Sequence, residues 1–242
     1  MSGELLLYAL VAGGLVFWLR SILGTRHGEE RDRTENIISF GGETITNEPN
    51  NTFDEGSDQS HESQIEELLN NEEGVTSIAN KSAEAGILDI AAADKSFDVK
   101  FFLEAVQDVF VMVVEGFGDN DKDMLQDLLA DDVYSAFESA IDAREKSGET
   151  LTNEIQAINK AEIMEAKLDG KKAIITVRFV ASEISVTKDS DGEIIAGHPD
   201  RSVEMRDIWT FSRDIKSRDP RWFVIETRGD FDGDNETIPN SK

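Results

Sequence analysis

The apolar residues change their period at Gly148. Before it, in FDVKFFLEAVQDVFVMVVEGF (residues 97–117), Phe97, Phe101, Ala105, Val109 and Met112 recur at steps of three to five. Phe102, Val106, Phe110, Val113 and Phe117 form a second stripe beside the first. That spacing predicts one long helix with a wide apolar face, ending at Gly116 and Gly118. Asp119-Asn120-Asp121 reads as the cap of a short helix through Met124 and Leu128. A third helix starts near Asp131 or Asp132 and carries Val133, Phe137 and Ile141, with Arg144 and Lys146 in its last turn and Gly148 as its cap. After Gly148 the period becomes two. Ile163–Leu168 leads to Asp169-Gly170, a hairpin signal. Ala173–Val180 is rich in β-branched residues and runs on through Ile184 and Val186. Short strands follow at Glu193–Ala196, at Val203–Phe211 and at Arg221–Thr227. Helices followed by strands imply an α+β domain, with N-terminal helices packed on a curved antiparallel sheet of about four strands. Such a sheet wrapped on the long helix would enclose a cone with an apolar mouth.

The N-terminus constrains location. ELLLYALVAGGLVFWLRSIL (residues 4–23) has no charge from Leu5 to Leu19. If Arg20 snorkels, the span reaches about 28 Å, enough for a hydrocarbon core of about 30 Å. Met-Ser-Gly-Glu before it lacks the basic flank of a signal peptide, and Arg-Ser-Ile-Leu after it lacks a small-residue cleavage site. An uncleaved transmembrane helix is the expectation for residues 1–33. Arg20, Arg26, Arg31 and Arg33 follow the run, which puts the N-terminus outside and the rest in the cytoplasm.

Residues 34–94 hold 14 acids and one base, Lys81, a net of −13. A stretch so charged and so poor in apolar residues is expected to be a mostly disordered linker. Its 61 residues would reach about 40–50 Å by flexible-chain scaling. Within it, Gln64–Leu69 could form a short helix and Ile87–Ala93 could dock on the domain. The domain itself is expected over 95–230, with a polar tail over 231–242.

The whole chain carries 50 acids against 24 bases, a formal net charge of −26, which opposes binding to nucleic acid. There is no cysteine, so thiol nucleophiles, disulfides and Cys-ligated zinc are excluded, and His27, His61 and His198 are scattered. Asp119, Asp121 and Asp123 alternate like a Ca²⁺ loop but lack its Gly and Glu, so helix capping is the better reading. No phosphate loop or nucleophile elbow is present. No metal and no cofactor is expected.

Five pieces, in order, carry a resemblance: FDVKFFLEAVQDVF, then Asp132–Gly148 in the form D-V-Y-x-x-F-x-x-x-I-x-x-R-x-x-x-G, then ITVRF (175–179), then DIWTFSRD (207–214), then Asp219-Pro-Arg-Trp222. Over about residues 86–228 the chain resembles the carboxy-terminal domain of the forty-four-kilodalton subunit of the mitochondrial inner-membrane translocase, the import-motor scaffold. With its apolar start and acidic linker it resembles the membrane-anchored alphaproteobacterial TimA-type adaptors. The resemblance implies a cystatin-like or nuclear-transport-factor-like cone and a binding module without catalysis. It lacks the long basic region through which the mitochondrial protein meets its chaperone, so that partnership is not carried over.

The expected binding pocket is lined by Phe102, Val106, Phe110, Val177, Phe179, Trp209, Phe211 and Trp222. The expected partners are the bilayer, membrane or translocating proteins, and a lipid. The expected location is the bacterial inner membrane. An alternative is a small cone-fold enzyme using Asp207 and Tyr134, with Arg178 as the other candidate partner of Asp207. Arg213 and Asp214 read as a turn-fixing pair.

Overall fold

The long apolar segment forms a helix because its ends are capped and its inner stripe is covered. The computed structural model describes residues 56–71 and 74–230. In chain order they form α1 (Gly56–Leu69), β1 (Thr76–Ile78), α2 (Lys81–Ala93), α3 (Val99–Asp119), α4 (Lys122–Leu128), α5 (Asp131–Ser147), β2 (Thr150–Asp169), β3 (Lys172–Lys188), β4 (Ile194–Gly197), β5 (Val203–Asp214) and β6 (Phe223–Gly229). The Asp98 carboxylate accepts the Phe101 N–H at the start of α3. The helix runs past both glycines and ends at Asn120, which takes the left-handed conformation at φ 61°. The glycines serve packing instead. A Cβ on Gly116 would lie 2.0 Å from Met124 Cε, and one on Gly118 would lie 2.9 Å from the Asn153 nitrogen. They let α4 and β2 approach the helix.

Arg144 does not merely face the end of its helix. It is buried, donates to the Phe117 carbonyl and to Asn120 Oδ1, and stacks over Phe117 at 4.6 Å. It therefore locks the end of α3 to α5. Gly148 closes α5 at φ 73°, as its sequence position implies.

The sheet is larger than expected. It has six strands in the order β1-β2-β3-β5-β6, with β4 also on β3, and it is mixed because β1 runs parallel to β2. β2 starts at Thr150, well before Ile163, and pairs with β3 along its whole length. The hairpin between them is the expected one, with Asp169 paired to Lys172 and Gly170 at φ 59°. Phe211, Trp209 and Asp207 of β5 face the same side as Ile175, Val177 and Phe179 of β3, and α3 packs against that inner side.

The core also takes in residues expected in the linker. Ile65 and Leu68 of α1, Ile78 of β1, and Ile87 and Ile90 of α2 are buried. Asn80 caps α2 through the Ser82 and Ala83 N–H groups. The folded unit thus reaches well N-terminal of Lys95, since the few apolar residues of this acidic region all find the core. Among the described residues no helix is long and apolar enough to cross a membrane. The apolar run 4–23, the rest of the linker before residue 56 and the tail 231–242 lie outside the described residues.

Candidate binding site

The eight residues expected to line a pocket come together on the inner side of the sheet. Phe110 of α3 stacks on Phe179 of β3, centroids 4.4 Å apart and planes at 20°. It also meets Trp209 of β5 at 4.8 Å. Phe102 contacts Trp222 at 4.7 Å and sets its edge on Phe211 at 6.1 Å. Val106 and Val177 are buried with them, and Trp222 is half-buried at the end of the cluster. In this conformation the side chains fill one another's surface. A ligand between them would require α3 to move off the sheet.

What α3 leaves open is its other stripe. Phe101 is 54% exposed and Met112 is 42% exposed. Ala105 and Val109 between them are half-buried, and Glu104 and Asp108 flank them in solvent. The sequence shows one wide apolar face; the fold covers only half of it.

The inner side also carries two acids. Asp207 is buried, and its hydrogen bond comes from Trp209 Nε1 at 3.4 Å, not from Arg178. Burial, aided by the charge of Asp230 and opposed by that hydrogen bond, raises its pKa to about 6. Glu183 is buried on the same side of β3, and burial with the charge of Asp207 raises its pKa to about 7. Arg178 points to the other face, where it pairs with Glu162 and approaches Asp230 at 3.6 Å. Tyr134 sits on α5 with its hydroxyl on Glu138, near Lys122 and Asp123. It is in a different neighbourhood from Asp207, so the two do not form an acid–base pair.

Arg213 does not pair with Asp214. It reaches across 119 residues to Asp94, the C-cap of α2, and stacks over Trp222 at 5.2 Å. Asp214 instead accepts the Lys216 N–H. The SRD and DPRW pieces therefore brace α2 against β5. An open depression of about 210 Å³ lies beside the brace, lined by Asp94, Ser96, Arg213, Arg218 and Asp219 among others. That is below the usual size of a small-molecule site, roughly 300–1,000 Å³. Asp121 caps α4 through the Met124 N–H.

Glu183 and Asp94 were not singled out from sequence. Glu183 had a readable signal, because it falls in phase with Val177 and Phe179. Asp94 had none, since its partner lies far along the chain.

Comparison with known proteins agrees with the order of these pieces. A probable mitochondrial import inner membrane translocase subunit, tin-44 of Caenorhabditis elegans, is 25% identical over 144 residues, covering 58% of this chain and 34% of that protein. Mouse and human mitochondrial import inner membrane translocase subunit TIM44 are 25% and 24% identical over 143 residues. This chain thus spans about a third of the length of those relatives. The intermembrane space region of chloroplast protein ARC6 aligns with a TM-score of 0.40 at 13% identity, over 55% of this chain and 96% of that one. Residues 83–229, more than half of the chain, match the Tim44-like domain, and the chain belongs to that family.

Proposed function

We propose that this chain is a non-catalytic docking module, held at the cytoplasmic face of a bacterial inner membrane by residues 4–23, that engages an apolar segment of a membrane or translocating protein. The observation that carries this reading is the half-covered helix α3. Phe101 and Met112 sit 11 residues apart, about 16 Å along one helix face, with Ala105 and Val109 between them. Covering such a stripe with a partner's apolar side chains would contribute on the order of 2 kcal/mol. The relatives' description as translocase subunits supports a translocating chain as the partner. The separation of Asp207 from Tyr134 removes the support for an enzyme. A tether also raises the effective concentration of the domain for other membrane proteins.

The test is site-specific photocrosslinking of the full chain in native membranes. A benzoylphenylalanine at position 101 or 112 is expected to give protein adducts, while one at the exposed Ala136 on α5 gives few. Equal adducts at all three positions, or adducts with lipid alone, contradict the reading.

A further inference from the structure

Glu183 is 4% exposed, and no hydrogen bond or ion pair satisfies it among the described residues. Asp207, 7% exposed, receives only the long hydrogen bond from Trp209. Both face the inner side, beside an aromatic cluster that includes Phe110, Phe179 and Trp209. A buried carboxylate normally has a counter-charge, because desolvating it alone is costly. Here the surrounding groups compound the cost. Glu115 approaches from α3, accepting the N–H of Ile155, which is the cross-strand partner of Glu183. Asp230 follows β6 and acts on Asp207. The loop after β4 carries His198, Asp200 and Arg201, with His198 turned to Asp200 at 3.8 Å. Arg206 on β5 is turned to Glu204.

We infer that Glu183 and Asp207 form a closed receptor for an organic cation, the ammonium or guanidinium of a lysine or arginine in a docked segment. Two features select this ligand over others. Among the described residues no group of three or more His, Asp or Glu is placed to hold a metal ion. The acids are four residues out of register on neighbouring strands, Glu183 opposite Val203 and Asp207 opposite Phe179, so a long flexible cation suits them better than a compact ion. Trp209, hydrogen-bonded to Asp207, adds an aromatic face of the kind that attracts such cations. The entry lies at a break in the sheet. β5 pairs with β3 only as far as Glu183, and β4 takes over at Val186, leaving Ile184 and Ser185 without a neighbour on that side.

This inference rests on the docking reading and names the chemistry of the docked segment. It is tested on the full chain in detergent micelles with two peptides. One is acetyl-Ala-Leu-Ala-Lys-Ala-Leu-Ala-amide; its twin has norleucine in place of lysine. The reporter is the indole ¹⁵N–H resonance of Trp209. The lysine peptide is expected to shift that resonance and to bind about tenfold tighter at pH 8 than at pH 5, where the acids hold protons. The norleucine twin should show no such change. Glu183→Gln and Asp207→Asn should each lose the lysine preference while melting at a higher temperature at pH 8, which separates loss of a ligand group from loss of fold. Equal affinity for the two peptides at pH 8, or a preference that survives both substitutions, overturns the inference. So does no binding by either peptide. If crosslinks at position 101 persist in that case, the docking module stands without the cation site; if the lysine peptide binds but position 101 gives no protein adducts, the reverse holds.

Discussion

Glu162 and Glu183 lie on opposite faces of one sheet, and both are buried, 7% and 4% exposed. They are solved differently. Glu162 has Arg178 beside it, Lys160 at 3.3 Å and a hydrogen bond from Ser77 Oγ. Burial pushes its pKa up, but the hydrogen bonds and charges of Arg178 and Lys160 outweigh that and hold it below the ordinary carboxylate value. Glu183 has burial without compensation, so its pKa goes the other way, to about 7. One face of the sheet is electrostatically complete. The other is complete only in its packing. A fold that tolerates an uncompensated acid on its best-packed face carries a stability cost there, and a missing ligand charge is the physical reason we attach to it.

The comparison can be broken at several points. Phe110→Ala removes a fully buried ring stacked on Phe179 and should cost about 3–5 kcal/mol in denaturant unfolding. Thr176→Ala on the opposite face loses only the contact with Thr210 and should cost about 1 kcal/mol. If the two costs match, the inner face is not the packed one. Arg178→Met should make Glu162 resemble Glu183. It should cost about 2 kcal/mol near pH 7, less than for a fully buried pair because Arg178 is 30% exposed, and the Glu162 carboxyl should titrate upward by NMR.

Glu183→Gln should act with the opposite sign. A carboxyl whose folded pKa is raised stabilises the fold fully below its unfolded value and loses that contribution as pH rises through about 7. Removing its charge should therefore stabilise the chain by about 1–2 kcal/mol at pH 8 and do nothing near pH 4. For Glu162 the contribution is present at neutral pH and lost on acidification, so Glu162→Gln destabilises at pH 7 and is silent near pH 3. The smallest stability effect is expected on α3. Phe101→Ser should change unfolding by no more than about 0.5 kcal/mol, since the ring is half exposed, yet photocrosslinking from position 112 should fall.

Much of this architecture is legible in the sequence, and what is not has local reasons. The 97–117 periodicity gives α3, and Asp169-Gly170 gives the central hairpin, because each is a short-range pattern. The first half of β2 is hidden. Register shifts between Ile155 and Ala157 and between Ile158 and Lys160 break the period of two, and Asn153, Gln156 and Asn159 dilute it. β1 is three residues long and pairs in parallel, so no hairpin signal announces it. Net charge argued against structure in residues 64–93, yet a few apolar positions, Ile65, Leu68, Ile78, Ile87 and Ile90, suffice to dock it. The Asp94–Arg213 brace needs two positions 119 residues apart, which no local pattern connects. The split of α3 into a covered and an open stripe depends on how far the sheet reaches, and that is a tertiary property.

The most direct measurement is a carboxyl ¹³C titration of Glu183 in the full chain. The account predicts a midpoint near 7, moving downward when the lysine peptide is added and unmoved by its norleucine twin. A midpoint near the ordinary glutamate value of about 4.3, in the absence of any ligand, would mean that the chain or solvent already supplies what Glu183 lacks, and the contrast between the two faces would not hold.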